Sequence, residues 1–254
     1  MVRVEDIDPP RIIAGAAEQQ IATLARFGLQ PDGPIQYQSQ FDSRHQAALD
    51  TLLDAGLAYF CGCSRRDLPP SGIYPGTCRH GIPENREPRS IRLRTDQAEE
   101  IRFQDLVQGE VREHPGARTG DFIIRRADGL IAYQLAVVVD DHATGVTEVV
   151  RGADLIDSTP RQIHLYKCLG WTPPKWMHLP LIVDEQGRKL SKTERDDPVD
   201  NCSPTETMRL ALRALGHEPP PAMRSVSSML DWARKNWEIE RIPAGPVATG
   251  LHPH

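Results

Sequence analysis

The sequence lacks the long apolar runs and the leader that would direct a protein into or across a membrane. None of its apolar stretches approaches the roughly 18 residues that a helix needs to span a bilayer. Glu5 and Asp6 stand where a signal peptide carries its apolar segment. Internal repeats and low-complexity tracts are also absent. We therefore expect a cytoplasmic globular protein of one large domain or two small ones, with no membrane partner.

The chain also lacks an excess of positive charge, since its formal net charge is -5. A broad surface that coats nucleic acid needs clustered lysines and arginines to neutralise phosphates, and this balance argues against one. A local basic groove stays compatible with the composition. Its best candidate is the segment 79–94, which holds five arginines against two glutamates. The alternative is a solvated loop, the commoner meaning of such a cluster.

A disulfide framework is the third feature that the sequence argues against, because five cysteines are an odd number in a chain expected to be cytosolic. Three of them, Cys61, Cys63 and Cys78, lie in one short segment. Three thiolates can hold a structural Zn²⁺ with one further ligand, for which His80 is the better choice by chemistry and Tyr74 the rarer one. The alternative is three ordinary cysteines of a reduced protein.

Apolar periodicity and turn residues predict an α/β protein. Helices are expected over residues 15–28 and 42–56, each ended by a glycine. A further helix is expected to begin with Thr159 as its N-cap. Residues 146–150 are mostly β-branched and indicate a buried strand. The apolar run at residues 133–140 fits either a helix or a strand.

Two lysines close the stretch Lys-Leu-Ser-Lys at residues 189–192. Lysines on a mobile loop can stabilise the negative charge that develops on a leaving phosphate group. Lys189 and Lys192 are therefore candidates for catalytic lysines, and Lys192 is the candidate for contacting a nucleotide phosphate. The alternative is a solvated surface loop, which is the usual meaning of such a pair without context.

Three residues at predicted element ends have the chemistry to bind an amino acid with an acidic side chain. Arg151 follows the predicted strand 146–150 at the edge where open α/β sheets bind ligands, and its planar fork matches a carboxylate. Glu5 ends a short first strand and can accept from an ammonium group. Tyr133 can add a hydroxyl contact. For each residue, the alternative is a local ion pair at a strand end.

These residues lie in a chain that resembles the glutamyl-queuosine tRNA(Asp) synthetases, short relatives of glutamyl-tRNA synthetase in the class I aminoacyl-tRNA synthetase family. The resemblance covers residues 1 to about 195 in one collinear order. It is carried by the stretches VRVEDIDPPR, GAAEQQIATLARFGL, GIYPGTCR with the cysteines before it, DFIIRRADGLIAYQLAVVVDDHATGVTEVVRGADLI, STPRQIHLYKCLGW, HLPL and KLSK.

The resemblance implies a Rossmann-like parallel sheet with a small zinc-bearing insertion and a helical C-terminal part. We divide the chain on that basis into a catalytic domain (1–60 and 121–200), the insertion (61–120), a helical subdomain (201–240) and a disordered tail (241–254). The family activates L-glutamate with ATP and Mg²⁺ and attaches it to the queuosine base at the wobble position of tRNA(Asp). A monomer is expected.

The same resemblance implies roles for particular residues. The positions that match glutamate-binding residues are Glu5, Tyr133 and Arg151. Lys192 matches the ATP-contacting lysine of the KMSKS-type loop. The positions that match the zinc ligands are Cys61, Cys63, Tyr74 and Cys78, so the family favours Tyr74 over His80 as the fourth ligand.

The family also carries a first strand and a HIGH-like motif before the VRVEDID stretch, and no segment of this sequence resembles them. We therefore expect an N-terminally shortened form of a longer gene product, with its activity in question. One alternative is a non-catalytic remnant that binds tRNA or a partner protein. Another is a fragment of a glutamyl-tRNA synthetase that charges tRNA(Glu). Only about 60 residues follow the lysine loop, too few for the large helical anticodon-binding region of that longer enzyme.

Overall fold

Strands and helices alternate along the chain, whose structure is a computed structural model describing residues 1–190 and 199–248. The strands are β1 (Arg3–Val4), β2 (Gln36–Tyr37), β3 (Ala58–Cys61), β4 (Ser90–Leu93), β5 (Ile101–Asp105), β6 (Gly109–Glu113), β7 (Phe122–Arg125), β8 (Glu148–Gly152), β9 (Lys175–Leu179), β10 (Ile182–Val183) and β11 (Val247–Ala248). Strands β3, β4 and β7 form an antiparallel sheet. A mixed sheet has the order β6-β5-β9-β8, with β5, β9 and β8 parallel. Two further parallel pairs join β1 to β2 and β10 to β11.

Three helices pack with both larger sheets into one apolar core. The helices of the described chain are α1 (Ala16–Arg26), α2 (Asp42–Asp54), α3 (Pro115–Arg118), α4 (Tyr133–Ala143), α5 (Thr159–Cys168), α6 (Pro204–Ala214) and α7 (Val226–Asn236). Leu49 and Leu52 of α2, Leu135 of α4 and Leu165 of α5 are fully buried in this core. Each such burial stabilises the fold by about 1.5–3 kcal/mol relative to an exposed side chain. Across residues 1–190 and 199–248, no helix combines the length and the apolar composition that crossing a bilayer requires.

The ambiguous apolar run at residues 133–140 is helical and belongs to α4. Residues 134–141 are all buried, so the helix has no solvent-exposed face over that stretch. A helix buried all round loses the amphipathic pattern by which helices are recognised in sequences. Its length of 11 residues is the feature that favours a helix over a strand.

Two predictions about local structure are corrected. The strand predicted at residues 146–150 is β8, which is not buried: Val150 is 55% exposed because β8 lies at the edge of its sheet. The predicted cap Thr159 is already the first residue of α5, and Ser158 occupies the N-cap position without a side-chain cap hydrogen bond. The Thr159 hydroxyl accepts a hydrogen bond from Arg151 instead. The N-cap preference of threonine predicts that this hydroxyl caps the helix, whereas in the fold it bonds the side chain of Arg151.

The predicted insertion (61–120) and the predicted tail (241–254) both contribute strands that pair with the rest of the fold. β4 lies between β3 and β7, and β5 pairs with β9. The segment predicted as a disordered tail supplies β11, in which Val247 pairs with Ile182 of β10. The tail prediction is wrong for these residues, because composition alone does not indicate a partner strand so distant in sequence. The division into domains stays a prediction.

The C-terminal helices form a second apolar core with the end of α1. Met208 and Met229 bury against Phe27, which directly follows α1. The next residue, Gly28, has a positive φ of 68° and ends the helix as predicted. It also approaches α7 so closely that an added Cβ would lie 3.2 Å from Leu230. The helical C-terminal part is thus packed against the N-terminal helix.

The buried carboxylate of Asp121 ties the arginine-rich segment to β7. It accepts from Arg79 Nε at 2.6 Å and Nη2 at 2.8 Å, and from the Tyr59 hydroxyl at 2.5 Å. The backbone N–H of Thr95 donates to it at 2.8 Å and the Thr95 hydroxyl at 2.9 Å. Burial raises the pKa of Asp121, but these donors outweigh it and hold the pKa below its ordinary value of 3.8.

The arginines proposed as a local basic groove are largely used inside the protein. Arg86 pairs with Asp67 at 2.8 Å, and Arg94 pairs with Asp96 at 2.8 Å. Arg92 is only 6% exposed. The interpretation of segment 79–94 as an open groove is therefore wrong for most of its cations: Arg79, Arg86 and Arg94 pair with carboxylates, and Arg92 is buried.

Replacing Asp121 with Asn should lower the free energy of unfolding by about 3–5 kcal/mol at neutral pH, because Arg79 loses the partner of a largely buried ion pair. A carboxylate with a depressed pKa stabilises the fold above its ordinary pKa and loses that contribution as pH falls below it. The wild-type protein and D121N should therefore differ less in acid than at neutral pH. Chemical denaturation across pH measures this difference.

The matched control is Asp128→Asn, which removes a carboxylate that pairs with Arg126 but is 44% exposed. Exposed pairs contribute at most about 1 kcal/mol. A D121N protein as stable as D128N would contradict the role given to the buried carboxylate.

Candidate functional site

Near the C-terminal end of β8, the guanidinium of Arg151 donates hydrogen bonds to acceptors from three other residues. Arg151 lies in β8, in register with His178 of β9. Its Nε donates to His178 Nε2 at 3.1 Å, while Nη2 donates to Thr159 Oγ1 at 2.8 Å and to the Leu155 carbonyl oxygen at 3.3 Å. The guanidinium carbon lies 4.8 Å from the centre of the Trp176 ring. A planar cation held in this way presents a fixed fork to a carboxylate.

His178 is fully buried and connects Arg151 to Asp105 of β5. Its Nδ1 lies 2.6 Å from Asp105 Oδ2, and its backbone N–H donates to Oδ1 at 3.1 Å. An arginine Nε–H can only donate, so His178 Nε2 accepts and the ring proton sits on Nδ1. Burial lowers the pKa of His178 and Arg151 lowers it further, while Asp105 acts in the opposite direction. The ring is therefore neutral at physiological pH.

Two carboxylates flank Arg3 in a second polar group. Arg3 Nη1 lies 2.7 Å from Asp141 Oδ1, and Nη2 lies 3.3 Å from Glu5 Oε1. The side chain of Asp141 is 10% exposed, whereas that of Glu5 is 41% exposed. Burial raises the pKa of Asp141 against the attraction of Arg3. Glu5 is thus the carboxylate of this group that a ligand cation can reach.

Tyr133 links these two polar groups. It begins α4 and is 36% exposed. Burial raises the pKa of Tyr133, with the Arg151 cation lowering it and the Glu5 anion raising it. Burial lowers the pKa of Arg151, and Tyr133, Asp141 and Glu5 oppose that shift. The fold therefore brings Glu5, Tyr133 and Arg151 within electrostatic range of one another, although they come from three separate elements.

Lys189 lies in a hairpin beside the same end of β8. Its Nζ is 2.6 Å from Asp154 Oδ2, and Asp154 belongs to the 3-10 turn that directly follows β8. The hairpin is closed by a hydrogen bond from the Leu190 N–H to the Ile182 carbonyl oxygen at 3.0 Å. The ion pair is exposed, so a stronger anion can replace the carboxylate at low cost. Lys192 lies outside the described residues.

The three clustered cysteines meet in one buried group together with a phenol. The sulfur atoms of Cys61, Cys63 and Cys78 all lie within 4.8 Å of one another. Tyr74 Oη is 3.3 Å from Cys61 Sγ and 3.6 Å from Cys63 Sγ, and the sulfurs of Cys63 and Cys78 are 3.7 Å apart. Tyr74 is 2% exposed. His80, the other candidate ligand, is exposed and outside this group.

The spacing of this group can be compared with a tetrahedral metal site. A zinc ion with Zn–S bonds of about 2.3 Å and a Zn–O bond of about 2.0 Å places two sulfurs about 3.8 Å apart and a sulfur and an oxygen about 3.5 Å apart. The 3.7 Å between Cys63 and Cys78 and the 3.3 and 3.6 Å from Tyr74 agree with those values. The donor set of three thiolates and one phenol therefore fits a structural zinc site.

Two arginines and a glycine support the cysteine group. Arg86 Nη1 donates to Cys63 Sγ at 3.0 Å, and Arg92 Nε donates to Cys61 Sγ at 3.3 Å. Cations at these positions favour deprotonated sulfur, the form that binds metals. At Gly120, an added Cβ would lie 2.2 Å from the Tyr74 carbonyl oxygen. The backbones approach there so closely that only glycine fits, and this contact fixes where Tyr74 enters the group.

Sequence reasoning missed the residues that hold Arg151 in place. His178 appeared only as part of the HLPL stretch, Thr159 was interpreted as a helix cap, and Asp105 was not singled out. A usable signal existed for His178. The strand-end rule that identified Arg151 applies equally to the next parallel strand, and parallel neighbours bring their carboxyl ends to the same edge. Asp105 gave no comparable signal, because its role depends on the pairing of β5 with β9.

The chain is similar in sequence to a known family of tRNA synthetases. A family model described as "tRNA synthetases class I (E and Q), catalytic domain" matches residues 1–70 and 77–215. A glutamyl-Q tRNA(Asp) synthetase of Pseudomonas aeruginosa is 48% identical over 246 residues, covering 96% of this chain and 83% of that protein. The enzyme of the same name from Xanthomonas campestris is 48% identical over 95% of this chain and 81% of its own length. One from Chromobacterium violaceum is 44% identical over 99% and 86%.

Solved structures extend the comparison to the fold. A crystal structure of glutamate-tRNA synthetase from Elizabethkingia anophelis superposes with a TM-score of 0.79 at 22% identity, covering 98% of this chain and 61% of that one. A glutamate tRNA ligase from Elizabethkingia meningosepticum gives a TM-score of 0.77 at 21% identity, over 97% and 59%. The chain thus spans about three fifths of these longer proteins. Their likeness supports the predicted class I synthetase-like α/β fold with its parallel strands.

The family model covers most of the chain, and the relatives share nearly half of its residues over almost its whole length. The chain belongs to the class I (E and Q) tRNA synthetase family, a family of ligases.

Proposed function

We propose that this chain, as a monomer, activates L-glutamate with ATP and Mg²⁺ and transfers it to the queuosine base at the wobble position of tRNA(Asp). The observation that carries the proposal is the proximity of Glu5, Tyr133 and Arg151, which influence one another electrostatically. The substrate assignment is supported by relatives at 48% identity that are named glutamyl-Q tRNA(Asp) synthetases.

In the proposed binding mode, glutamate contacts one cation, Arg151, and one anion, Glu5. Arg151 is held by His178 and Thr159, which orient its fork before any ligand arrives. Nη1, which none of the contacts with His178, Thr159 and Leu155 uses, donates to the side-chain carboxylate of glutamate in a charge-assisted hydrogen bond. Glu5 accepts hydrogen bonds from the substrate ammonium group. Tyr133 adds a hydroxyl contact between them.

Activation then requires the substrate α-carboxylate to meet ATP. A carboxylate oxygen attacks the α-phosphorus, the bond to the pyrophosphate oxygen breaks, and glutamyl-adenylate forms with release of pyrophosphate. Lys189 and Lys192 are proposed to stabilise the charge on the departing pyrophosphate. Lys189 exchanges its exposed Asp154 partner for phosphate. In the second step a hydroxyl of the modified base attacks the acyl carbon, and AMP leaves.

We further propose that Cys61, Cys63, Tyr74 and Cys78 hold a structural Zn²⁺. All four are buried, and four protein donors would fill a tetrahedral site and leave no open coordination position for chemistry. The segment around them has little apolar core of its own: the surrounding cluster adds only Tyr59, Leu68 and Ile82. When bound, the metal supplies folding free energy to this segment.

The function is tested by two assays on the wild-type chain. Glutamate-dependent ATP–pyrophosphate exchange should occur without tRNA, and radiolabelled glutamate should be transferred to tRNA(Asp) that contains queuosine. The matched control is tRNA(Asp) prepared without the modified base, which should accept none. Charging of tRNA(Glu) at its 3′ end, or the absence of any exchange, would contradict the proposal.

Substituting Arg151 by Lys should raise the KM for glutamate about tenfold or more in the exchange assay, since the planar fork and a charge-assisted hydrogen bond are lost. The KM for ATP should change much less. Arg125→Lys is the control, because Arg125 also lies at a strand end and donates to a single carbonyl oxygen, that of Gly129. An R151K enzyme with wild-type KM for glutamate would exclude the proposed role.

The zinc proposal predicts about one zinc per wild-type chain. Cys78→Ser should lower both the bound zinc and the melting temperature, because three donors rarely retain a structural ion. Tyr74→Phe should weaken zinc binding, whereas His80→Ala should not, and elemental analysis after dialysis against a chelator separates these cases. Loss of zinc in H80A with full retention in Y74F would reverse the choice of fourth ligand.

A further inference from the structure

A hydrogen-bonded series runs from the buried side chains of Asp105 and His178 to the partly buried Arg151. Each member comes from a different strand of the mixed sheet, β5, β9 and β8. The Asp105 carboxylate is held as an anion: burial raises its pKa, but the Gln108 N–H, the His178 ring and the Val107 N–H outweigh burial and lower it. The anion receives the Nδ1–H of His178 at 2.6 Å. The opposite ring nitrogen receives Arg151 Nε–H at 3.1 Å.

This series fixes both the tautomer and the charge of the imidazole. With a proton on Nδ1, His178 Nε2 offers a lone pair toward Arg151. With a second proton on Nε2, two donors and two positive charges would face each other across 3.1 Å. The Arg151 guanidinium would then lose one of the acceptors that orient it and rotate on its remaining contacts with Thr159 and Leu155.

We propose that His178 is the positioning residue for Arg151: held by Asp105 in its neutral Nδ1–H form, it aims the guanidinium at the substrate carboxylate. This inference rests on the proposed function for the ligand that Arg151 binds. The geometry by which the ring holds the arginine does not depend on it. His178 itself touches no substrate atom in this account, so its effect is on the affinity for the amino acid rather than on the chemical step.

The charged groups around the ring define the expected pH response. Asp105 faces it from β5, Arg151 from β8 and Asp154 from the turn after β8, where Lys189 pairs with Asp154. From α5 it meets only the non-ionising Thr159 hydroxyl, at 3.1 Å. Protonation of the ring therefore weakens the hold on Arg151. Because burial lowers the pKa of His178, the affinity for glutamate should stay constant through the ordinary histidine pKa of about 6.5 and fall only at more acidic pH.

Two substitutions of His178 test the roles of its two ring nitrogens separately. His178→Gln places an amide oxygen near the position of Nε2 and can still accept from Arg151. His178→Asn places its amide near Nδ1, which can still donate to Asp105 but leaves Arg151 without this acceptor. In glutamate-dependent exchange, H178N should raise the KM for glutamate about tenfold or more, with smaller changes in kcat and in the KM for ATP. H178Q should recover most of the lost affinity, and the acid limb of the glutamate KM should vanish in both.

His217→Asn is the matched control. His217 is also a buried histidine with both ring nitrogens hydrogen-bonded, Nδ1 to the Leu215 carbonyl oxygen and Nε2 to the Glu238 N–H. It lies beside the C-terminal helices, and its substitution should leave the glutamate KM and its pH profile unaltered. If H178N and H178Q have equal KM values for glutamate, or if H178N raises the KM for ATP as much, the positioning role is overturned.

A readout independent of activity is the ring tautomer. In ¹⁵N-histidine-labelled protein, the His178 signals, identified by their loss in H178Q, should show a protonated Nδ1 and an unprotonated Nε2 at neutral pH. A proton on Nε2 overturns the inference. A wild-type chain without glutamate-dependent exchange contradicts the proposed function instead, and the tautomer then decides the positioning role by itself.

Discussion

The partial burial of the Arg151 cation at the edge of a mixed β-sheet is the constraint on which the site depends. A guanidinium removed from water needs acceptors, and the protein supplies them from the neighbouring strand, the following turn and the next helix. The His178 acceptor is available because β8 and β9 run parallel and place Arg151 beside it. The same contacts that compensate the cation for lost water also fix its orientation.

The rest of the molecule keeps the register of β8 and β9 in place. The shared core of α2, α4 and α5 holds both larger sheets, so β5 can reach β9 and bring Asp105 to the histidine. The arginine-rich segment is anchored by the Asp121 carboxylate through Arg79, which directly follows Cys78 of the cysteine group. Polar ties in this region replace the apolar core that it lacks. A bound metal would complete the same set of ties.

Sequence reasoning was most successful where chemistry is local. The helices over residues 15–28 and 42–56 end at glycines of positive φ as predicted, and the cysteines meet as their spacing indicated. The strand-end rule singled out Arg151, whose binding role stays a prediction. Sequence reasoning failed where a side chain has a distant partner: the Thr159 hydroxyl bonds Arg151 rather than capping α5, and Arg79 and Arg86 bind Asp121 and Asp67. These partners are tertiary, so no local pattern reports them.

The central claim is that a guanidinium and a carboxylate from separate strand ends grip the two charged ends of one amino acid. The most direct measurement is a crystal structure of the protein with a non-hydrolysable glutamyl-adenylate analogue. The ligand's side-chain carboxylate should lie about 3 Å from the Arg151 guanidinium nitrogens and its ammonium about 3 Å from the Glu5 carboxylate. The phosphate-like group should face the loop of Lys189 and Lys192. A ligand whose side chain is bound away from Arg151 would contradict the account.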